Sequence, residues 1–389
     1  MSPREEDLRQ EAIRRYVAGE SSKSIFTSLR RSERWFFKWL ARYRTAEQAW
    51  FCDHSRIPKK VPGRIDMVTE DLVCHIRRQL EEHREFCGAQ AIRWELEDLG
   101  WPRVPSLRTI NRILQRRDLI QPRQKRYQPK GKAYPKISVM APNQLHQLDL
   151  MGPRYLRGPI RFYLANVMDI YSHRVAINPL PGRRHDVILA ALVATWQRLG
   201  IPTYLQMDNQ LPLRGSNRYP RSFGKIIRIC LRLGIQPVFI PLREPWRNGA
   251  VEKFQDTCQL RFLRRVHMAS FSELLTESRR FENRHNSRYR YSAIKGKTPL
   301  QVLEASTHKL RLLPGDYQIP DLKDKPTSGR IHLVRFIRSN RLLDIFSEKF
   351  TISEQLVYEY AWSTICVKEQ KLRVFLNGNQ LHEFKYQLR

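Results

Sequence analysis

The pattern of apolar segments between residues 141 and 265 constrains the fold of this chain more than any other feature of the sequence. Three segments come first, separated only by a Gly-Pro bend and by the turn Tyr171-Ser172-His173. Because connections this short join antiparallel neighbours, the three segments predict an antiparallel meander of strands. The later segments alternate between a helical and a strand period, over residues 185–199, 203–209, 222–233 and 236–240. Together they predict an α/β domain.

Three carboxylates are expected at the ends of elements in this domain. Asp149 lies at or near the end of the first strand, and Asp208 ends the strand over residues 203–209. Glu252 lies in the first turn of a helix that opens after a loop over residues 245–249. A single carboxylate in such a place is more often a surface residue, but three of them could converge on one point. Magnesium and other hard divalent cations require that kind of oxygen cluster.

The charge of the chain indicates a polyanionic partner. Lys and Arg outnumber Asp and Glu by 70 to 38, which gives a formal charge of +32 over 389 residues. An excess of this size is typical of proteins that bind nucleic acid. We find no apolar span of about 20 residues and no signal-peptide core at the start, so we expect no membrane partner and a cytoplasmic location. Six cysteines without a Cys-x-x-Cys motif fit reduced thiols in that compartment.

Residues 1–50 are predicted to form a helix-turn-helix DNA-binding domain. The apolar spacing and the serines at 21, 22 and 32 predict three short helices with tight turns. Arg34, Lys38 and Arg42 fall on one face of the third helix, where they are candidate DNA contacts. The alternative is a solvated basic face on a small helical bundle.

Residues 65–120 are predicted to form a second helix-turn-helix domain, with Ser106 at the start of its third helix. The outward-facing candidates for DNA contact on that helix are Arg108, Asn111, Arg112, Gln115 and Arg116. Arg and Asn can bind guanine and adenine edges in the major groove. The alternative is that these side chains contact phosphates only.

Two further groups of residues are candidate DNA contacts. Residues 121–140 form a basic linker in which Arg123, Lys125 and Arg126 would follow the DNA backbone. Beside the Glu252 helix, Arg247, Asn248 and Lys253 are candidates for positioning phosphates, and Asn248 is also a candidate helix cap.

The C-terminal part of the sequence divides into a connector and a β-rich segment. Residues 269–328 are predicted to be helical and then loop-like. Residues 329–389 contain several short strands and the hairpin turn Asn377-Gly378. They predict a small SH3-like β-barrel that contacts DNA or another subunit, or that only stabilises the protein.

A series of short motifs occurs in order along residues 141–300: Gln147-Leu148-Asp149, Val167-Met168-Asp169, Ser172-His173-Arg174, Gln206-Met207-Asp208-Asn209, Arg247-Asn248-Gly249-Ala250-Val251-Glu252-Lys253-Phe254, Asn283-Arg284-His285-Asn286 and Thr298-Pro299. In this order they resemble the catalytic core of the DDE transposase and retroviral-integrase superfamily, in its bacterial insertion-sequence branch. The resemblance implies a ribonuclease-H-like core over residues 141–268. It also implies that Asp149, Asp208 and Glu252 are the catalytic triad and the ligands of two Mg²⁺ ions, with Mn²⁺ as a substitute.

Two departures from the family concern the active site. Gln210 stands where the family usually has Gly, and the 43 residues between Asp208 and Glu252 make that interval longer than usual. The excess predicts an insertion over residues 211–221. Asp169 ends a strand beside a turn, and we interpret it as turn-forming and not as catalytic.

These features predict a transposase that binds the ends of a mobile element, cleaves DNA and joins 3′-hydroxyl ends to target DNA. Joining two ends in one event requires a homo-oligomer, a dimer or tetramer on DNA. A protein that acts on chromosomal DNA is expected at the bacterial nucleoid. A helper ATPase is a candidate partner. The alternatives are a catalytically silent DNA-binding regulator and a metal-dependent nuclease that cleaves without joining.

Overall fold

The computed structural model describes residues 5–45, 49–53, 65–120, 132, 134–156, 159–218 and 220–388. The chain separates into two compact units, Met1–Asp66 and Met67–Arg389. The linker candidates Arg123, Lys125 and Arg126 lie outside the described residues. No helix in the described ranges is long and apolar enough to span a bilayer.

The first unit contains three helices, α1 (Glu5–Val17), α2 (Ser22–Ser28) and α3 (Glu33–Arg44). Its helix starts agree with the sequence. The Ser21 and Ser32 hydroxyls accept hydrogen bonds from the backbone N–H groups of Ser24 and Trp35, which caps α2 and α3. The helices enclose a small core in which Ile25 and Phe36 are fully buried.

The second unit begins with three more helices, α4 (Met67–Glu82), α5 (Ala89–Asp98) and α6 (Leu107–Arg116). They pack against the segment around residues 284–296. The rings of Phe86 and Tyr289 meet edge-on with centroids 4.8 Å apart. Gly296 has a φ of +76°, and a Cβ there would lie 2.8 Å from the indole of Trp94. The second helical group is therefore packed directly on the rest of its unit.

The centre of the second unit is a sheet built from β1 (Leu145–Tyr155), β2 (Arg161–Asp169), β3 (Val175–Leu180), β4 (Tyr204–Met207) and β5 (Gln236–Phe239). The first three strands form an antiparallel meander, as predicted. Strand β4 then pairs parallel with β1, and β5 pairs parallel with β4. Three antiparallel strands followed by alternating helices and strands is the order expected for a ribonuclease-H-like core.

The Gly-Pro bend does not end the first strand, in contrast to the sequence-based expectation. Strand β1 runs through Gly152 and Pro153, and its register with β2 shifts between Met151 and Arg154. Gly152 has a φ of +123°, a backbone conformation that residues with a side chain rarely adopt. A bulge accommodates this backbone and the missing N–H of Pro153, so the strand bends without stopping.

Helices cover both faces of the sheet. On one face lie α7 (His185–Leu199), the short α8 (Leu211–Arg214) and α9 (Lys225–Arg232), and on the other α10 (Gly249–Cys258) and α11 (Phe271–Arg288), with α12 (Pro299–Glu304) following. Alternate residues of β1 serve the two layers. Leu148 packs with α7 and α9, whereas Met151 packs with α10 and α11. The predicted insertion over residues 211–221 contains α8.

The prediction of an SH3-like barrel over residues 329–389 is wrong for the part of this segment that the structure describes. Residues 330–388 form β6 (Arg330–Phe336), β7 (Leu342–Ile345), β8 (Glu348–Thr351), β9 (Tyr360–Cys366), β10 (Lys371–Leu376) and β11 (Asn379–Lys385). Within this described range no barrel closes. Strands β7 and β8 form a separate hairpin, and the other four extend the core sheet to nine strands in the order β11-β10-β9-β6-β5-β4-β1-β2-β3.

The junction between the two parts of the sheet explains the difference. Strand β6 pairs parallel with β5 through Val238 with His332 and Phe239 with Leu333. Ile331 and Leu333 are fully buried in the same apolar cluster as β4 and β5. Strand periodicity shows that a segment is a strand but not which strand it pairs with. The predicted hairpin turn at Asn377-Gly378 is confirmed, since both residues have positive φ between β10 and β11.

Candidate active site

The sheet brings Asp149 and Asp208 side by side. Asp149 lies inside β1 and pairs with Asn166 of β2, so the expectation that it lies at or near the end of its strand is wrong. On the other side of β1, Gln147 pairs with Gln206. Continuing that parallel register by two residues places Asp149 level with Asp208, immediately after β4. Residues two apart in a strand share a face, so both carboxylates lie on the face covered by α10.

Glutamine and asparagine side chains fasten the start of α10 to this face. The Gln147 side-chain oxygen accepts a bond from the Val251 N–H at 3.2 Å. The Asn248 amide donates to the Leu148 carbonyl at 2.8 Å, and its oxygen accepts from Gln206 Nε2 at 3.2 Å. These bonds fix the start of the helix on which Glu252 lies, four residues after Asn248.

Asn248 is therefore correctly located but has a different role from the one predicted. Its backbone precedes the first residue of α10, yet its side chain does not cap the helix. Both ends of its amide are used on the sheet, and only 2% of the residue is exposed. A fully buried side chain of this kind is a structural anchor, and it is too enclosed in this conformation to contact DNA.

Each aspartate is bonded by one backbone N–H and one glutamine amide. Asp149 accepts from the Leu150 N–H at 2.9 Å and from Gln255 Nε2, on α10, at 2.6 Å. Asp208 accepts from the Gln210 N–H at 3.0 Å and from Gln210 Nε2 at 2.5 Å. In both residues Oδ1 takes the backbone donor and Oδ2 takes the side-chain amide.

Repulsion within the set of three carboxylates acts on Asp149, which is half-buried. Burial raises the pKa of Asp149 to about 7, and the negative charges of Asp208 and Glu252 act in the same direction. Burial also raises the pKa of Asp208, and burial and the charge of Asp256 raise that of Glu252. A cation placed among these groups would favour their ionised forms.

The donor set fits a hard divalent cation, although the side chains are not arranged as a finished coordination shell. Among the described residues, no group of three or more His, Cys, Asp or Glu side chains is placed to hold a metal ion. Asp149, Asp208 and Glu252 nevertheless offer only oxygen atoms, which is what Mg²⁺ prefers. One oxygen of each aspartate accepts a glutamine amide.

The bonds that the glutamines make around the site were not predicted from the sequence, although Gln147 and Gln206 stand in its motifs. Gln147 and Gln206 each precede an aspartate by two residues, and Gln255 follows Glu252 by three. A spacing of two in a strand and of three in a helix keeps side chains on one face. The spacing therefore places these glutamines beside the acidic residues, but an amide is neutral and its charge does not mark it as part of a site.

Two side chains beside the site that were predicted to contact phosphates have different surroundings. The Arg247 guanidinium lies 2.9 Å from a Glu244 oxygen and donates to the Tyr360 hydroxyl at 2.7 Å. It also stacks between the rings of Tyr134 and Tyr360, and 13% of the side chain is exposed. Lys253 is 80% exposed, with its Nζ 3.6 Å from Asp256. Lys253 is accessible to a phosphate, whereas Arg247 is held by internal contacts.

In the first unit, Arg34 and Lys38 are exposed on α3. Lys38 and Arg42 both lie over the Trp39 ring, at 4.9 and 4.6 Å from its centroid. Arg42 also donates to the Cys52 carbonyl at 2.9 Å.

The five candidate residues of α6 are all exposed: Arg108, Asn111, Arg112, Gln115 and Arg116. Arg116 forms an ion pair with Glu70 of α4, whose side chain is 8% exposed. Arg116 therefore has a structural role within the helical group.

Asp169 is built into the turn that joins β2 and β3. Its carboxylate accepts from the backbone N–H groups of Asn143 and Ser172 and from the Ser172 hydroxyl. It is 1% exposed. These contacts agree with the interpretation of Asp169 as turn-forming.

Comparison with solved structures finds retroviral integrases. The HTLV-2 integrase catalytic core domain in complex with magnesium, in its trimeric form, is 16% identical, covers 42% of this chain and 97% of that chain, and gives a TM-score of 0.32. The BIV integrase catalytic core domain is 17% identical, covers 42% and 94%, and gives 0.33. A chain of the simian T-cell lymphotropic virus intasome, in complex with PP2A regulatory subunit B56 gamma, is 14% identical, covers 80% and 96%, and gives 0.37. No protein-family profile matches the chain.

These identities and TM-scores are too low to carry an inference about activity. The strand order and register of this chain define its fold.

Proposed function

We propose that this protein is a DNA strand transferase of the DDE type, a transposase of a bacterial mobile element that cleaves DNA and joins 3′-hydroxyl ends to target DNA. One observation carries the proposal: Asp149, Asp208 and Glu252 come from two neighbouring strands and one helix, and lie close enough that two of them raise the pKa of the third. The formal charge of +32 supports nucleic acid as the substrate.

In this proposal Asp149, Asp208 and Glu252 hold two Mg²⁺ ions, or Mn²⁺ in their place. When bound, the ions supply charge stabilisation at phosphorus and lower the pKa of an attacking water or 3′-hydroxyl. The chain itself supplies orientation. The backbone N–H groups of Leu150 and Gln210 fix the two aspartates, and the bonds from Gln147 and Asn248 fix the helix that carries Glu252. No side chain is needed as a covalent nucleophile.

The exposed faces of α3 and α6 are the proposed contacts to the element ends. Arg34 and Lys38 serve on α3, and Arg108, Asn111 and Arg112 on α6. Phosphate contacts would dominate affinity and make it dependent on salt. Transfer of two ends in one event requires at least two protomers on DNA, and a helper ATPase remains a candidate partner.

The test uses the DNA that flanks the gene. Inverted repeats in that DNA would give the sequence of a labelled end duplex for the assay. If there are none, duplexes that the protein selects from a random pool would serve as the substrate. We expect the protein to join labelled ends to a supercoiled plasmid in Mg²⁺ and to lose this activity in a chelator. Cleavage without joining would instead identify a nuclease, and binding without cleavage would identify a regulator.

Substitution separates catalysis from binding. D149N, D208N and E252Q should each abolish cleavage and joining while the affinity for end DNA is retained. D316N, which removes an exposed carboxylate from a loop far along the chain, is the matched control and should join ends normally. Joining by D149N at the wild-type rate would contradict the proposal.

A further inference from the structure

The two aspartates of the candidate site share a bonding pattern that the proposed function does not require. In each, Oδ1 accepts from a backbone N–H and Oδ2 accepts from a glutamine Nε2. The glutamines come from different elements, since Gln255 lies on α10 and Gln210 lies in the loop after β4. The same arrangement is therefore built twice from unrelated parts of the chain.

A glutamine amide and a divalent cation satisfy the same need of a carboxylate. Asp149 and Asp208 are both half-buried. In each residue the glutamine amide donates a hydrogen bond to a carboxylate oxygen that a cation could also bind. The two glutamines thus supply a donor to these carboxylate oxygens without a metal ion.

The backbone and the amide donors differ in how readily they can leave. The N–H groups of Leu150 and Gln210 belong to the main chain and move only with it. The glutamine side chains have three rotatable bonds and can swing aside at a modest cost in side-chain freedom. Binding of a cation at Oδ2 requires the amide to leave, whereas the bond to Oδ1 can stay.

We propose that Gln210 and Gln255 are exchangeable stand-ins for the catalytic metal ions, and that Oδ2 of Asp208 and Oδ2 of Asp149 are the oxygens that face those ions. The proposal deepens the proposed function and rests on it. Both glutamines are positioning residues in this scheme: they set how tightly metal binds and contact no substrate.

Competition of this kind lowers the apparent affinity for metal, because only the fraction of molecules with the amide displaced can bind. Removing one amide should therefore tighten metal binding. A net hydrogen bond is worth about 1 kcal/mol, which corresponds to about fivefold in a dissociation constant. The opposite sign is expected for a residue that only orients a metal ligand, since losing such a residue weakens binding.

The experiment is a calorimetric titration of the full-length protein with Mn²⁺ and with Mg²⁺, for wild type, Q210A, Q255A and the double variant. We expect the dissociation constant to fall about fivefold for each substitution. Q197A is the matched control, because Gln197 donates its amide to the carbonyls of Pro314 and Gly315 and touches no carboxylate of the site. Its dissociation constant should equal that of wild type.

Thermal unfolding gives a second readout that does not depend on activity. In chelator, Q210A should melt below wild type, because Asp208 has lost its amide donor. On adding Mn²⁺, its rise in melting temperature should exceed that of wild type. The stand-in role is overturned if Q210A melts lower in chelator but gains no more from Mn²⁺ than wild type does. A higher dissociation constant for the metal ion in Q210A overturns it as well. Failure of wild-type protein to bind either ion overturns the proposed function instead.

Discussion

Asp149 lies where burial and two neighbouring negative charges all oppose its ionisation. Its ordinary pKa of 3.8 is raised to about 7 in the folded protein. Between these values the folded state holds a proton that the unfolded state has released. Stability from this group therefore falls as the pH rises from about 4 to about 7 and then levels off.

The substitution D149N removes this dependence while keeping the shape of the side chain. We expect the free energy of unfolding of wild type, relative to D149N, to decrease by up to about 1.4 kcal/mol for each pH unit in that window. Urea unfolding in chelator at pH 5 and pH 8 measures the difference. Parallel pH profiles for the two proteins would show that Asp149 ionises at its ordinary pKa.

Asn248 connects the helix of the site to the sheet through a single buried amide. N248A leaves the Leu148 carbonyl and one amide hydrogen of Gln206 without their bonds in the folded protein. An unsatisfied buried polar group costs about 1–3 kcal/mol, so the free energy of unfolding should fall by about that amount.

Urea unfolding measures the effect of N248A, with N283A on the exposed surface of α11 as the control. Strand transfer by N248A should also be slower than wild type at saturating metal, since Glu252 loses its fixed position. A stable N248A protein with normal activity would show that other contacts hold α10 in place.

At the scale of elements, β6 supports the loop after β4 in which Asp208 lies. Arg335 of β6 is 4% exposed, and burial lowers its pKa to about 10. Its guanidinium donates to Asn209 Oδ1 at 2.8 Å, and to the carbonyls of Ile240 and Asp344 at 3.1 and 2.9 Å. One side chain thus joins the ends of β4 and β5 to the β7 hairpin.

R335M should remove these bonds and leave several buried acceptors unsatisfied. We expect a loss of about 3 kcal/mol in the free energy of unfolding. R335K keeps the charge but cannot form the same fork, so it should restore only part of the loss. Unfolding that is unchanged in R335M would show that the C-terminal strands do not support the Asp208 loop.

Helices, strands and turns were easier to predict from the sequence than the pairing of one strand with another. The strand meander, the capped starts of α2, α3 and α6 and the Asn377-Gly378 hairpin all follow from local chemistry, and each is present. The pairing of β6 with β5 joins residues about 90 positions apart, and no local pattern specifies it. The position of Asp149 inside β1 was missed for a local reason, because a bulge carried the strand past a Gly-Pro pair.

The candidate site divides in the same way. The three acidic residues could be named from the sequence, because they stand in a series of motifs in the order that the resembling family has. The bonds made by the amides of Gln147, Gln206 and Gln255 could not, because a neutral side chain acquires its role only from the carbonyl or carboxylate that the fold places beside it.

At the scale of the whole molecule, the two units predict different outcomes of truncation. Residues 67–389 form one unit with its own core, so this fragment should fold and bind Mn²⁺ without residues 1–66. Removing residues 329–389 should instead unfold the core, because it exposes β5 and removes Ile331 and Leu333 from the apolar cluster.

Circular dichroism and calorimetric unfolding of the two fragments test this contrast. A cooperative transition for residues 67–389, and none for residues 67–328, is the expected result. A stable core in the shorter fragment would restore the view of the C-terminal strands as an independent module.

The pairing of β5 with β6 also has a consequence during synthesis. A nascent chain that has reached residue 300 already contains every acidic residue of the candidate site, but the outer edge of β5 is still uncovered. Exposed strand edges pair readily with other chains. Newly made molecules are therefore vulnerable to aggregation until β6 emerges and pairs with β5, and a ribosome that stalls before then releases a sheet with an open edge instead of a smaller working enzyme.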